Sequence, residues 1–149
     1  MEEARLRILI VDDHEIFRRG LRTVLETRPD FAICGEATDG LDAIEKTKAL
    51  DPDIIVMDVS MPRVDGLQAL RIIRGQSPRS KVLILSQHDS TFMLEAAVKA
   101  GAGGYVTKSQ VARCLLTAID NLSQGRPFSW NSEELPAVAA NGNESGQSQ

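Results

Sequence analysis

Three aspartates in this chain stand where apolar runs end. Asp12 and Asp13 follow the run from Ile8 to Val11, and Asp58 follows the run from Ile54 to Met57. If these runs are neighbouring strands of a parallel sheet, their carboxyl ends bring the three carboxylates to one edge. Like charges held together are costly unless a cation or a charged ligand offsets them. The spacing therefore favours a functional site over a purely structural arrangement.

Carboxylates grouped in this way suit Mg²⁺, a hard cation that takes one or two carboxylates together with phosphate oxygens and waters. The Asp12–Asp13 pair has a second interpretation, because Asp13 or His14 could cap the helix that follows. The presence of Asp58 at a second strand end favours the metal. We therefore predict that these three aspartates form a magnesium site.

Two further polar residues end apolar runs. Ser86 follows Val82 to Leu85, and Lys108 follows Gly104 to Thr107. Each has an ordinary interpretation, the serine as a turn or cap residue and the lysine as a solvated charge. Beside carboxylates, however, an ammonium group is a counter-charge that can bind a phosphoryl oxygen. The set predicts phosphoryl transfer to Asp58 as the nucleophile, with Lys108 and Ser86 contacting the phosphoryl group.

Apolar runs alternate with helical patterns five times along the chain, which predicts an α/β fold. The strands are expected at 7–11, 32–37, 54–57, 82–85 and 104–107. The helices are expected at 15–28, 40–50, 67–74, 91–100 and 110–124. Strict alternation with short links implies a parallel sheet with helices on both faces. Ligands of such folds bind beyond the carboxyl ends of the strands, where the polar residues fall.

The composition is ordinary for a globular protein, with 149 residues, 42% hydrophobic and 26% charged. A net charge of −4 argues against wholesale binding to nucleic acid or anionic membranes. No apolar stretch is long enough to cross a bilayer, and the first residues lack the apolar segment of a signal peptide. Cys34 and Cys114 form no CxxC pair. We therefore expect a cytoplasmic protein with no membrane partner.

Four ordered segments resemble the receiver domain of bacterial two-component response regulators, over about residues 5–125. The segments are ILIVDDH at 8–14, VMDVSMPRVDG at 56–66, LILS at 83–86 and GYVTK at 104–108. The first and last are most similar to the LuxR/NarL-type transcriptional regulators. The resemblance implies a CheY-like (flavodoxin-like) doubly wound fold, with a five-stranded parallel sheet of order 2-1-3-4-5 and five helices.

The resemblance also implies how the acids act. Asp58 would accept a phosphoryl group from a sensor histidine kinase, or from a small donor such as acetyl phosphate. Mg²⁺ would be held by Asp13, Asp58 and the backbone carbonyl of Ser60, and Asp12 would support it through water. The protein would then be a signalling phosphoacceptor with its own autophosphorylation and autodephosphorylation activity, and not an enzyme acting on a separate substrate.

Ser86 and Tyr105 match the family's switch pair. On phosphorylation Ser86 would move to the phosphate and Tyr105 would turn inward, which would alter the surface of the fourth helix, fifth strand and fifth helix. Homodimer formation on phosphorylation is a possible consequence. The chain departs from many family members at Lys108–Ser109, where they carry Lys-Pro with a cis bond, so we expect a trans bond here.

We expect residues 5–125 to form the receiver domain and residues 126–149 to form a flexible C-terminal tail or linker stub. The segment from Asn131 onward is rich in Asn, Ser, Glu, Gly and Ala and has no periodicity. Nothing after Trp130 can form the DNA-binding helix-turn-helix usual in this branch. DNA contact is therefore expected only through an output domain absent from this chain, and either a stand-alone receiver or a truncated regulator fits.

Two other functions use some of the same residues. Haloacid-dehalogenase-like phosphohydrolases and phosphotransferases also combine a strand-end Asp with Mg²⁺, but their signature is Asp-x-Asp after the first strand. This chain has Asp12-Asp13 there and places its expected nucleophile, Asp58, on the third strand. A receiver-like interaction module that is never phosphorylated is the other alternative, and the complete set of acids, serine and lysine argues against it.

Overall fold

The computed structural model describes residues 5–59, 66–87, 91–126 and 128–129, in which strands and helices alternate. The strands are β1 (Leu6–Val11), β2 (Phe31–Ala37), β3 (Ile54–Asp58), β4 (Lys81–Ser86), β5 (Gly104–Thr107) and β6 (Phe128–Ser129). The helices are α1 (Glu15–Leu25), α2 (Gly40–Leu50), α3 (Gly66–Gln76), α4 (Thr91–Ala100) and α5 (Val111–Ser123). A short 3₁₀ turn, Lys108–Gln110, leads into α5.

All strand pairs are parallel, and the sheet order is β2-β1-β3-β4-β5-β6. The predicted α/β fold with order 2-1-3-4-5 and five helices is therefore confirmed. β6 is an addition that was not predicted: Phe128 pairs with Gly104, and Ser129 pairs with Tyr105. These two residues lie within the segment 126–149 that was expected to be a tail, and a two-residue strand is too short to show the alternation that identifies a strand.

Helix ends follow from local sequence. α1 ends at Leu25, three residues before the predicted end at Arg28, and the N–H groups of Thr27 and Arg28 bond back to carbonyls only three residues away. Pro29 follows directly, and a proline disfavours helical backbone in the residue before it. α2 ends at Leu50, and the next residue, Asp51, adopts the left-handed conformation (φ 50°).

The two faces of the sheet carry separate apolar layers. One layer packs against α1 and α5, and its buried strand residues are Ile8, Ile10, Phe31, Ile54, Val56, Leu83, Leu85 and Val106. The other packs against α2, α3 and α4, and its buried strand residues are Leu9, Val11, Ala37, Ile55, Met57, Val82, Ile84 and Tyr105. We call these the α1/α5 face and the α2/α3/α4 face. Because side chains alternate along β1, β3, β4 and β5, this pattern also sets the direction of the residues at the ends of these strands.

None of the helices in the described ranges has both the length and the apolar character needed to span a membrane. All peptide bonds in the same ranges are trans, including the bond between Lys108 and Ser109.

Glu36 on β2 links α1 to the sheet through ion pairs with two arginines of the helix. Its two carboxylate oxygens accept hydrogen bonds from Arg18 Nε (2.9 Å) and Arg22 Nε (3.0 Å). Arg18 also donates from Nη1 to the backbone carbonyl of Asp12 at 2.8 Å. The hydrogen bond from Arg22 lowers the pKa of Glu36, partial burial acts in the opposite direction, and Arg18 adds to the lowering. The network thus ties the first turns of α1 to the carboxyl end of β1.

Replacing Glu36 by glutamine should reduce the free energy of unfolding at pH 7 by about 1 kcal/mol, because two partly shielded arginines lose their counter-charge. The folded pKa of Glu36 is below its unfolded value of about 4.3, so this stabilisation is complete above that value and is lost as the pH falls through the folded pKa. Urea unfolding at pH 7 and pH 3.5 measures the difference, which should shrink at the lower pH.

The control is Glu26→Gln, which removes a more exposed carboxylate 3.1 Å from the same Arg22. We expect it to cost less than about 0.5 kcal/mol. An equal cost for both variants, or a cost for Glu36→Gln that does not change with pH, would contradict the role given to Glu36.

Candidate functional site

Four of the residues selected from the sequence lie at the carboxyl edge of the sheet. Asp12 follows β1, Asp58 ends β3, Ser86 ends β4 and Lys108 follows β5. These four strands are consecutive neighbours in the sheet, so their ends form one continuous edge. The backbone N–H of Val59, just past the end of β3, donates to the carbonyl of Leu85 on β4 at 3.0 Å, which keeps these two ends in register.

The ammonium group of Lys108 lies between two buried carboxylates. Its Nζ is 2.8 Å from Asp12 Oδ2 and 3.2 Å from Asp58 Oδ2. The side chains of Asp12 and Asp58 are 0% and 1% exposed, and that of Lys108 is 11% exposed. Among the described residues Asp12 Oδ2 accepts no well-directed hydrogen bond, so its contact with Lys108 is an ion pair. Two buried negative charges thus share one positive charge.

His14 and Asp13 form the solvent side of the cluster. His14 donates its backbone N–H to Asp12 Oδ1 at 2.8 Å, and its ring Nδ1 lies 3.1 Å from the same oxygen and 3.2 Å from Asp13 Oδ1. His14 occupies the N-cap position of α1, but its side chain makes no capping hydrogen bond. Capping by a His14 side chain, one alternative for this motif, is therefore not what the structure shows.

The cluster has the chemistry of a site for a hard divalent cation. One ligand atom from each of Asp12, Asp13, His14 and Asp58 lies within 4.8 Å of the others. Three of these residues supply carboxylate oxygens, and the buried Asp12 Oδ2 has spare acceptor capacity. Such donors fit Mg²⁺. The carbonyl of Ser60, also predicted as a ligand, lies outside the described residues.

Ser86 and Tyr105 lie on the other side of the sheet from the carboxylates. Both are buried, at 2% and 1% exposure. Ser86 continues the alternation of Val82 and Ile84, so it falls on the α2/α3/α4 face with Tyr105. Asp58 continues the alternation of the strand residues on the α1/α5 face. Tyr105 packs inside its apolar layer, so its side chain is directed inward in this structure.

Gly66 brings α3 directly against the end of β3. Its N–H donates to the carbonyl of Val59 at 3.1 Å. A methyl group at this position would collide with the backbone of Asp58 and Val59, so only glycine allows the approach. The segment VMDVSMPRVDG ends at this glycine. The close packing of α3 against β3 explains why a glycine stands at that position.

One contact of the site was not predicted from the sequence. The Lys108 Nζ lies 4.4 Å from the centre of the Phe17 ring on α1. Phe17 looks like an ordinary apolar residue of an amphipathic helix, and no spacing rule links it to a lysine far along the chain. Beside this contact a groove of about 620 Å³ opens at the surface. It is lined by His14, Ile16, Phe17, Gly20, Gln87 and Lys108.

Comparison with known sequences agrees with this geometry. A family model described as the response regulator receiver domain matches residues 8–120. The transcriptional regulatory protein DegU of Brevibacillus brevis is 37% identical over 128 residues, which are 86% of this chain and 54% of that protein. The nitrate/nitrite response regulator protein NarL of Escherichia coli K12 is 34% identical over 118 residues, which are 79% of this chain and 55% of that protein. The chain thus spans about half the length of these relatives.

Solved structures have the same fold. A two-component response regulator of the LuxR family from Aurantimonas sp. SI85-9A1 superposes with a TM-score of 0.85 at 35% identity, covering 93% of this chain and 100% of that one. The signal receiver domain of the putative response regulator NarL from Mycobacterium tuberculosis gives 0.79 at 31% identity, covering 83% and 100%. The strand order, the strand-end residues and these matches agree: the chain belongs to the response regulator receiver domain family, and its relatives are of the LuxR/NarL type.

Proposed function

We propose that this chain is a phosphorylation-controlled signalling domain and that Asp58 is its phosphoacceptor. The observation that carries the proposal is the buried Asp58 carboxylate, which Lys108 holds at 3.2 Å beside the second buried acid, Asp12. The donor would be the phosphohistidine of a sensor histidine kinase, or a small molecule such as acetyl phosphate. Asp53, at the other end of β3, is instead held by the N–H of Arg7 and by Arg79.

In the proposed reaction an oxygen of Asp58 attacks phosphorus, and the bond from phosphorus to the donor's nitrogen or oxygen breaks. The electron pair of that bond leaves with the donor, and Asp58 becomes an acyl phosphate. A carboxylate needs no general base, because it is ionised at neutral pH. When bound, Mg²⁺ offsets charge on the phosphoryl oxygens. Asp13, Asp58 and the Ser60 carbonyl would hold it, with Asp12 acting through water.

Lys108 must change partners during this reaction. Before it, the ammonium shares its charge between Asp12 and Asp58. After it, a phosphoryl oxygen takes the place of the Asp58 carboxylate as acceptor, and a charge-assisted hydrogen bond forms. Lys108 therefore serves as the counter-charge in both states. The hydrolysis that returns Asp58 to its free form belongs to the same proposal, as an intrinsic activity of the domain.

Ser86 and Tyr105 are the residues proposed to respond first when Asp58 is phosphorylated. A phosphoryl group adds a charge of about −1.5 to −2 at Asp58. Ser86, at the next strand end, would move to donate to it, and Tyr105, on the neighbouring strand β5, would respond to that movement. A shift of this pair would change the surface formed by α4, β5 and α5.

The relatives support a wider proposal. DegU is named as a transcriptional regulatory protein, and both DegU and NarL are about twice as long as the matched region. We infer that residues 5–125 act as a cytoplasmic receiver, that 126–149 connect it to a DNA-binding output domain, and that phosphorylation promotes a homodimer.

The phosphoacceptor is tested by mass spectrometry of the intact protein after incubation with acetyl phosphate and Mg²⁺. One phosphoryl group should appear on the wild type, and it should be absent after chelation of the metal or in Asp58→Asn. Asp30→Asn, which changes an exposed aspartate far from the edge, is the matched control and should label normally. Undiminished labelling of Asp58→Asn would show that another residue accepts the group.

The charge balance of the site gives a second test, by urea unfolding without divalent cations. Asp58→Asn should raise the free energy of unfolding by about 1 kcal/mol, because one of two buried like charges is removed. Lys108→Met should lower it by about 3 kcal/mol, because both buried carboxylates lose the positive charge beside them. Arg19→Met, which breaks an exposed pair with Glu15, should have little effect.

Added Mg²⁺ should then stabilise Lys108→Met more than the wild type, because the ion replaces the missing ammonium, while phosphorylation of this variant is impaired. Loss of Mg²⁺ binding in Lys108→Met would show that the lysine helps to hold the ion. Similar destabilisation by Asp58→Asn and Lys108→Met would show that the carboxylates do not repel one another in the folded protein.

A further inference from the structure

We propose that Phe17 is a positioning residue that keeps the Lys108 ammonium in the site while the carboxylates exchange partners. The inference rests on the proposed function, in which Asp58 accepts a phosphoryl group. Among the residues that the structure describes, three groups contact the ammonium: Asp12 Oδ2 at 2.8 Å, Asp58 Oδ2 at 3.2 Å and the Phe17 ring, whose centre is 4.4 Å away. Two of these are anions, and the third is the face of an aromatic ring.

The distance and the burial make the ring contact effective. An ammonium within about 6 Å of a ring centre is attracted by the ring's quadrupole, and the attraction grows when water is excluded. The side chain of Lys108 is 11% exposed and Phe17 is half-buried, so little water competes for the charge. Phe17 therefore contributes to the position of the ammonium as well as to the packing of α1.

The ring is the one neighbour among these three that the reaction leaves unchanged. Mg²⁺ prefers oxygen ligands, so it competes with Lys108 for Asp12 and Asp58 but not for the ring. Phosphorylation then converts the Asp58 carboxylate into an acyl phosphate. A lysine held by the two acids alone would have to exchange its partners in the step that requires it, whereas the contact with Phe17 persists.

Hydrogen bonds of the neighbouring residue anchor the helix that carries Phe17 to the strand end that carries Asp12. The next residue, Arg18, donates to the carbonyl of Asp12 at 2.8 Å and to Glu36 at 2.9 Å. This clamp attaches the first turns of α1 to the end of β1, where Asp12 stands. These hydrogen bonds join the start of α1, which carries the Phe17 ring, to the strand end that carries Asp12, so the helix cannot move away from the acid without breaking them.

Three variants separate positioning from packing. Phe17→Leu removes the ring and keeps an apolar side chain, and Phe17→Tyr restores the ring. Phe31→Leu is the matched control, because the Phe31 ring also lies 4.4 Å from a cation, the guanidinium of Arg28, but at the start of β2. Phe31→Leu is expected to be less stable than the wild type. At a temperature where this variant is folded, it should be phosphorylated at the wild-type rate.

Two readouts apply at saturating Mg²⁺. In NMR spectra the Cε protons of Lys108, assigned by their loss in Lys108→Arg, should show an upfield ring-current shift in the wild type and Phe17→Tyr, and Phe17→Leu should lose it. The rate of phosphorylation by acetyl phosphate should fall about fivefold in Phe17→Leu and stay near the wild-type rate in Phe17→Tyr. The dissociation constant for Mg²⁺ should change by less than about twofold, since Mg²⁺ takes oxygen ligands and the ring offers none.

The proposal is overturned if Phe17→Leu keeps the ring-current shift, if it reacts at the wild-type rate, or if Phe31→Leu slows the reaction equally. Failure of the proposed function would look different, because the wild type itself would then take no phosphoryl group. In that case the NMR shift alone decides whether Phe17 holds Lys108, and a shift retained in Phe17→Leu overturns the proposal as before.

Discussion

The ammonium of Lys108 between Asp12 and Asp58 is the interaction on which the rest of the site depends. Both carboxylates are buried, so water cannot screen them, and two such charges are tolerable in one place only if a cation lies between them. The sheet order brings the ends of β1 and β3 together and places the end of β5 within reach of both. The fold thus places buried negative charge at a point where binding a cation, or adding a phosphoryl group, changes the net charge of the site.

The two faces of the sheet divide the proposed roles. The carboxylates continue the layer that packs on α1 and α5, while Ser86 and Tyr105 continue the layer that packs on α2, α3 and α4. A change of charge at Asp58 would therefore act first on the α1/α5 face and would reach the α2/α3/α4 face through the strand ends. The Tyr105 side chain already lies inward here, so the proposed switch concerns how firmly it is held there as well as its direction.

Sequence patterns predicted the fold and the convergence of the strand ends because these depend on local features. An apolar run that ends in Asp58 is visible without a structure, and alternation of strands and helices restricts the topology to a few choices. β6 was missed because two residues show no period. The contact between Phe17 and Lys108 was missed because it joins distant segments through side-chain placement, which periodicity does not encode. The proposed roles of the site residues remain predictions.

The measurement that tests the central claim most directly is a crystal structure of the protein with Mg²⁺ and beryllium fluoride, a mimic of the phosphoryl group. The account predicts beryllium bonded to a carboxylate oxygen of Asp58, with Lys108 Nζ moved from that carboxylate to a fluoride and still over the Phe17 ring. Density for the beryllium group on another residue, or its absence from Asp58 under saturating conditions, would contradict the assignment of Asp58 as the phosphoacceptor.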